Sequence, residues 1–166
     1  MLEFILTQVI GAIGYSLLAI SYFRKEKKQI LSMQIIAYVM FTIHYYLLSG
    51  MTGSICNLLG LIALVMIYLF DKYEKNKKIL VMCMIPFVIL IALFTYQNAY
   101  SLLPIVASVT VILSFIMDNE NVIRMIGIVS AVCWLVYAIV YQSYVAIVFE
   151  VITVISIVIA LFKNSR

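Results

Sequence analysis

The sequence predicts an all-α integral membrane protein with seven transmembrane helices. They form two parallel three-helix repeats joined by a linker helix (3+1+3), with the N-terminus outside and the C-terminus cytoplasmic. Three observations carry this. Of 166 residues, 66% are apolar and 11% charged, with a mean hydropathy of +1.18, whereas a soluble domain carries about 25% charged and 45–50% apolar residues. Seven apolar runs follow one another, each near the roughly 20 residues that cross a hydrocarbon core. The Lys and Arg residues lie in alternate connections between runs, at Arg124 just beyond one of them, and in the C-terminal Lys163-Asn164-Ser165-Arg166. This composition excludes a soluble enzyme, a nucleic-acid-binding module and a disordered tail.

The runs are 4–23, 30–48, 52–70, 79–95, 99–117, 123–141 and 144–162. As a single transmembrane domain, the chain divides into repeat one (4–70), a linker helix (79–95) and repeat two (99–162). The first run is a retained span rather than a signal peptide: its basic residues follow the apolar core instead of preceding it. They begin the connection Arg24-Lys25-Glu26-Lys27-Lys28. Asp71 to Lys78 separates the third run from the fourth, and Asp118-Asn119-Glu120-Asn121, with Arg124 beyond, separates the fifth from the sixth. The turns at Ser49-Gly50-Met51, Thr95 to Asn98 and Tyr141-Gln142-Ser143 carry no charge. Only seven spans place every basic residue on one face, which enrichment of Lys and Arg marks as cytoplasmic. The net charge of +4 is therefore a topology signal.

Cys56, Cys83 and Cys133 each lie within an apolar run, which gives little support to a disulfide framework or a zinc site. His44 is the only histidine, and no Cys/His cluster accompanies it. No metal or cofactor is expected. The expected partners are the lipid bilayer and an unknown small polar solute, not nucleic acid, with homo-oligomerisation left open.

A shift of 93 residues lays runs one to three over runs five to seven without a gap. His44 then falls on Tyr137, Phe41 on Trp134, Gly50 on Ser143, Gly11 on Pro104 and Asn57 on Glu150. Identities are few, and the correspondence of run and loop lengths is the stronger support. The equivalent runs enter the bilayer from the same side, as in the parallel three-helix units of SWEET sugar transporters.

Glu150 is the most informative residue, about 9 Å below the outer end of run seven at 1.5 Å per residue. A charge at the centre of a span costs about 2.5–3.5 kcal/mol, so such a group normally faces the protein interior or a wet cavity. A substrate or proton site and a neutral carboxyl bonded to a neighbouring helix are both consistent with this. Ser143, Ala146, Glu150 and Thr153 form one small, weakly polar stripe, and Gly53, Ser54, Asn57 and Gly60 form another. Tight helix packing alone accounts for small residues, but not for Asn57 or Glu150.

Gln34, Tyr38, Phe41 and His44 share a face of run two, and Gly127, Trp134 and Tyr137 share one of run six. These faces could line a central cavity with Phe41 and Trp134 as opposed aromatic walls. Plain packing, with His44 as an interfacial histidine bonded to a neighbour, is the alternative. Pro104 and Pro86 can kink their helices, and Pro104 with Gly11 would give each repeat a flexible point. Tyr45, Tyr46, Tyr96, Tyr100, Tyr141 and Tyr144 near span ends read as an interfacial belt.

His44-Tyr45-Tyr46-Leu47-Leu48-Ser49-Gly50, followed by Asn57-Leu58-Leu59, resembles a pattern of the YgjV-like bacterial inner membrane proteins. Leu102-Leu103-Pro104-Ile105, Val132-Cys133-Trp134-Leu135-Val136 and Glu150 resemble that family's second half. Two positions depart from it: Tyr137, where a His is expected, and Gly60, where a basic residue is expected. The resemblance implies a multi-pass protein of the bacterial cytoplasmic (inner) membrane, similar in layout to SWEET-like and PQ-loop transporters. Asn57 and Glu150 match the third-helix positions that contact substrate in SWEET-like repeats.

These residues together suggest a small-solute transporter using alternating access. Asn57 and Glu150 would bind polar groups, Phe41 and Trp134 would stack on the solute, and His44 and Tyr137 would complete the lining. A protonatable Glu150 makes proton coupling available. The alternative is a non-transporting membrane scaffold or regulatory subunit. Enzymatic activity is not expected, since the sequence has no nucleophile–base, metal-binding or phosphate-binding motif.

Overall fold

The computed structural model describes residues 2–21, 24, 26–69, 74–114 and 120–164. Within them the chain forms seven α-helices and no strand. They are α1 (Leu2–Ser21), α2 (Lys27–Leu47), α3 (Met51–Leu69), α4 (Glu74–Phe94), α5 (Leu102–Ser114), α6 (Glu120–Val140) and α7 (Tyr144–Asn164). Each coincides with one apolar run. Leu2–Ser21, Lys28–Leu47, Met51–Leu69 and Val122–Val140 are long and apolar enough to cross a membrane, and Ala99–Leu113 and Tyr144–Ile159 are shorter apolar segments. Much of the basic connections (25, 70–73, 115–119) and of the C-terminus (165–166) lies outside the described residues.

Helices α2, α4 and α6 begin three to five residues before their apolar runs. Backbone hydrogen bonds continue past the point where side chains turn polar, so helix ends and hydrocarbon edges need not agree. The fifth element departs further. Ala99–Ser101 is a 3-10 turn closed by a capping box: Tyr100 N donates to Asn98 Oδ1 (3.0 Å), and Asn98 N donates to Ser101 Oγ (3.4 Å). Pro104 therefore stands in the first turn of α5, where a missing N–H costs little. It does not interrupt the helix as a mid-span flexible point would. Pro86 does lie inside α4.

Two turns have the same backbone geometry. Ser49 and Gln142 adopt left-handed φ values of 60° and 55°. Gly50 N donates to Tyr45 O (2.8 Å) and Ser49 N to Tyr46 O (3.0 Å), while Ser143 N donates to Ala138 O (2.9 Å) and Gln142 N to Ile139 O (3.2 Å). Both are Schellman closures. The next helix starts on the same residue in each, with Ser54 N on Gly50 O and Ile147 N on Ser143 O.

Successive helices pack on one another; in addition α1 packs on α7, and α3 on α5. One core cluster joins Tyr15, Ala37, Phe41, Ala138 and Ala146, from α1, α2, α6 and α7. A second joins α3, α4 and α5 through Leu59, Ala63, Met84, Val88 and Ile112.

Candidate functional site

The centre of the bundle is built from residues that small neighbours allow to approach. On α1 the buried residues Thr7, Gly11, Gly14 and Tyr15 form one stripe. A Cβ at Gly11 would lie 2.8 Å from the His44 ring, and one at Gly14 would lie 2.8 Å from the Phe41 ring. Gly11 is thus a site of close approach between α1 and α2.

His44 is fully buried and bonded to neighbouring elements, in the last turn of α2. Its Nδ1 lies 2.7 Å from Thr7 O and its Nε2 lies 2.6 Å from Ser143 Oγ. A carbonyl only accepts, so Nδ1 carries the hydrogen and Nε2 of the neutral ring accepts from the Ser143 hydroxyl. Ser143 is the N-cap of α7, but its hydroxyl serves His44. The free amide of Val145 is met by Gln8 Oε1 of α1 (3.4 Å), whose Nε2 donates to Gln142 O (3.0 Å). Ser143 and His44 have the spacing of a nucleophile and its base. Sequence motifs could not reveal this pair, because 99 residues separate the two. Both are enclosed by protein.

Tyr15 lies beneath this pair. Its hydroxyl donates to Glu150 Oε1 at 3.5 Å, and its ring stacks on Phe149 (4.8 Å, 17°) and leans on Phe41 (4.5 Å). Tyr45 is 1% exposed and its hydroxyl has no hydrogen-bond partner. The belt expected from the sequence therefore loses Tyr45, while Tyr46, Tyr96, Tyr100 and Tyr144 are exposed as expected. The position of Tyr45 was legible: with Ala37 and Phe41 it makes an i, i+4, i+8 row on α2.

The other candidates gather on the opposite side. Tyr137 Oη accepts from Gly53 N at 2.9 Å, and a Cβ at Gly53 would lie 2.4 Å from its ring. Asn57 is buried and its Nδ2 donates to Gly53 O (2.9 Å), one turn back on its own helix. Trp134 packs edge-on against Tyr137 (5.9 Å). Tyr45 joins the two groups, with ring centroids 5.4 Å from both Trp134 and Tyr137.

The six candidates thus divide into Phe41, His44 and Glu150 on one side and Asn57, Trp134 and Tyr137 on the other. Among the described residues the ring neighbours of Phe41 are Tyr15 and Tyr38, while those of Trp134 are Tyr45 and Tyr137. In the α7 stripe Ser143 and Ala146 are buried and Glu150 is half-buried, but Thr153 is exposed and bonds back to Phe149 O. A surface depression at the turns, lined by Tyr46, Leu47, Ser49, Met51 and Gln97, contains none of the six.

Residues 5–166 match the Imp-YgjV family, bacterial inner membrane proteins. The chain belongs to that family. Its place is accordingly the bacterial inner membrane, and four of its helices are long and apolar enough to span one. No curated protein and no solved structure matches the chain.

Proposed function

We propose that the chain is a small-solute transporter working by alternating access, with a SWEET-like layout of two three-helix units in parallel orientation joined by α4. The observation that carries this is the Tyr15–Glu150 contact, which sets an acid of α7 against α1 at the junction of the two units. Reciprocal contacts favour the two-unit reading. His44 of the first unit meets Ser143 of the second, and Tyr137 of the second meets Gly50 and Gly53 of the first. Tyr15 stacks on Phe149, and at the equivalent positions Ser108 lies beside Cys56. The two matched turns agree with it.

In this reading Asn57 and Glu150 bind polar groups of the solute, while Phe41, Trp134, His44 and Tyr137 line its path once the units separate. The N-terminus lies outside and the C-terminus in the cytoplasm. Catalysis forms no part of the proposal, since Ser143 is enclosed where no substrate carbonyl reaches it. Uptake of small polar solutes into proteoliposomes tests the reading. Wild-type flux above empty vesicles, lost in Glu150→Gln, is the expected result.

A second reading, a membrane scaffold or regulatory subunit, is favoured by the filled centre, where Tyr45, Tyr137, Ala138 and Ala146 are almost wholly enclosed. It predicts a stoichiometric membrane partner that co-purifies in mild detergent.

A further inference from the structure

Tyr45 presents a hydroxyl that is completely enclosed and has no hydrogen-bond partner. A buried polar group in that state is destabilising, and a hydrophobic phenylalanine would fill the same space. The polar neighbours of the hydroxyl are Ser143, Tyr15 and Glu150. On either side stand two bonded pairs: His44 Nε2 with Ser143 Oγ at 2.6 Å, and Tyr15 Oη with Glu150 Oε1 at 3.5 Å. Ser143 and Tyr15, both beside the Tyr45 hydroxyl, belong one to each pair, which sets the five groups in a row between the α6–α7 turn and the acid. Ser143 and Glu150 lie two turns apart on α7, about 10 Å of depth. Gln142, next to Ser143, is exposed.

We propose that this row is a proton path: a proton entering at the His44–Ser143 pair is passed through Tyr45 and Tyr15 and bound by Glu150. A densely packed centre has no passage for a solute, but a proton needs only hydroxyls that can turn. With the proton on His44 Nε2, that nitrogen donates to Ser143 Oγ as the serine proton moves to Tyr45 Oη. The Tyr45 proton moves to Tyr15 Oη, and the Tyr15 proton to the Glu150 carboxylate. His44 returns to neutrality, each hydroxyl keeps one hydrogen, and the acid is neutralised by the proton that entered. The titratable groups facing the row are Tyr15 from α1, His44 and Tyr45 from α2, and Tyr137 from α6, whose hydroxyl is engaged with Gly53 N. As a coupling device the path rests on the transporter reading, whereas proton uptake itself requires no solute.

The test is a pH jump on the full chain in lipid nanodiscs, followed by an indicator dye in weak buffer. Wild type is expected to take up about one proton per chain more than Glu150→Gln. Tyr45→Phe and Ser143→Ala are expected to keep that count but slow uptake by about tenfold or more. Tyr45→Phe retains the ring against Trp134 and Tyr137, and monodisperse elution checks its fold. Thr110→Val, which removes a hydroxyl bonded to Ala107 O on α5, should change neither count nor rate. An unchanged count in Glu150→Gln, an unchanged rate in Tyr45→Phe, or uptake that depends on sodium ions would each overturn the path. Absent solute flux with intact proton uptake would overturn the transporter reading alone.

Discussion

Nε2 of His44 and Oγ of Ser143 lie 2.6 Å apart and join α2 to the head of α7 across 99 residues of sequence. The contact is buried and each partner has one role in it. Ser143→Ala leaves the imidazole nitrogen without a donor, which costs about 1–3 kcal/mol. Thermal unfolding in detergent should show that loss, and Ser143→Thr should recover part of it.

Glycine positions separate sharply by what a methyl group would meet. At Gly53 it would lie 2.4 Å from the Tyr137 ring, while at Gly127 it would lie 3.3 Å from the end of the flexible Ile157 side chain. Gly53→Ala is expected to destabilise by about 1–3 kcal/mol or more through overpacking. Gly127→Ala should stay within about 1 kcal/mol of wild type, helped by alanine's helix propensity. A ranking reversed in unfolding experiments would contradict the described α3–α6 packing.

Ser49 and Gln142 each hold a left-handed conformation that costs a non-glycine residue roughly 1–2 kcal/mol. Ser49→Gly and Gln142→Gly should therefore both stabilise, by about 1 kcal/mol or less once glycine's greater unfolded entropy is included. Because the bonds around them correspond, the two changes should agree in sign and size.

Tyr15→Phe removes the only described donor to Glu150 while keeping the stack on Phe149 and the contact with Phe41. Stability should change by less than about 1.5 kcal/mol, the net worth of one hydrogen bond. On the proposed transporter reading, solute flux in proteoliposomes should fall markedly. A flux equal to wild type would remove Tyr15 from the site.

Sidedness is open to direct measurement. Ser49, Gln142 and Lys28 are exposed. Single cysteines at 49 and 142, in a background lacking the three native ones, should react with an impermeant maleimide from outside intact cells. A cysteine at 28 should react only after the membrane is opened. Labelling of 49 and 142 from opposite faces would exclude the parallel arrangement.

The helices were legible because hydrocarbon thickness sets a length that apolar runs must meet, and seven runs became seven helices. Their ends were less so, since α4 starts at Glu74, where the side chains are already polar. Glu150 and Asn57 stood out as polar residues within apolar runs. The partner of Glu150 did not, because Tyr15 meets it through packing between helices far apart in sequence, whereas Asn57 bonds one turn back to Gly53 of its own helix. Tyr45 was misplaced because aromatic residues near a span end suit an interface as well as a core. Phe41 and Trp134 were opposed on helical period alone, which fixes a face but not the ring neighbours that each side chain finds there.

The closures at Leu48-Ser49-Gly50 and Tyr141-Gln142-Ser143 are held by main-chain bonds, so corresponding positions need not carry the same side chain. The two triplets agree at no corresponding position, and yet they trace one path. On the two-unit reading proposed above, kinship between distant stretches of the chain would survive in the route of the backbone where comparison of letters finds only strangers.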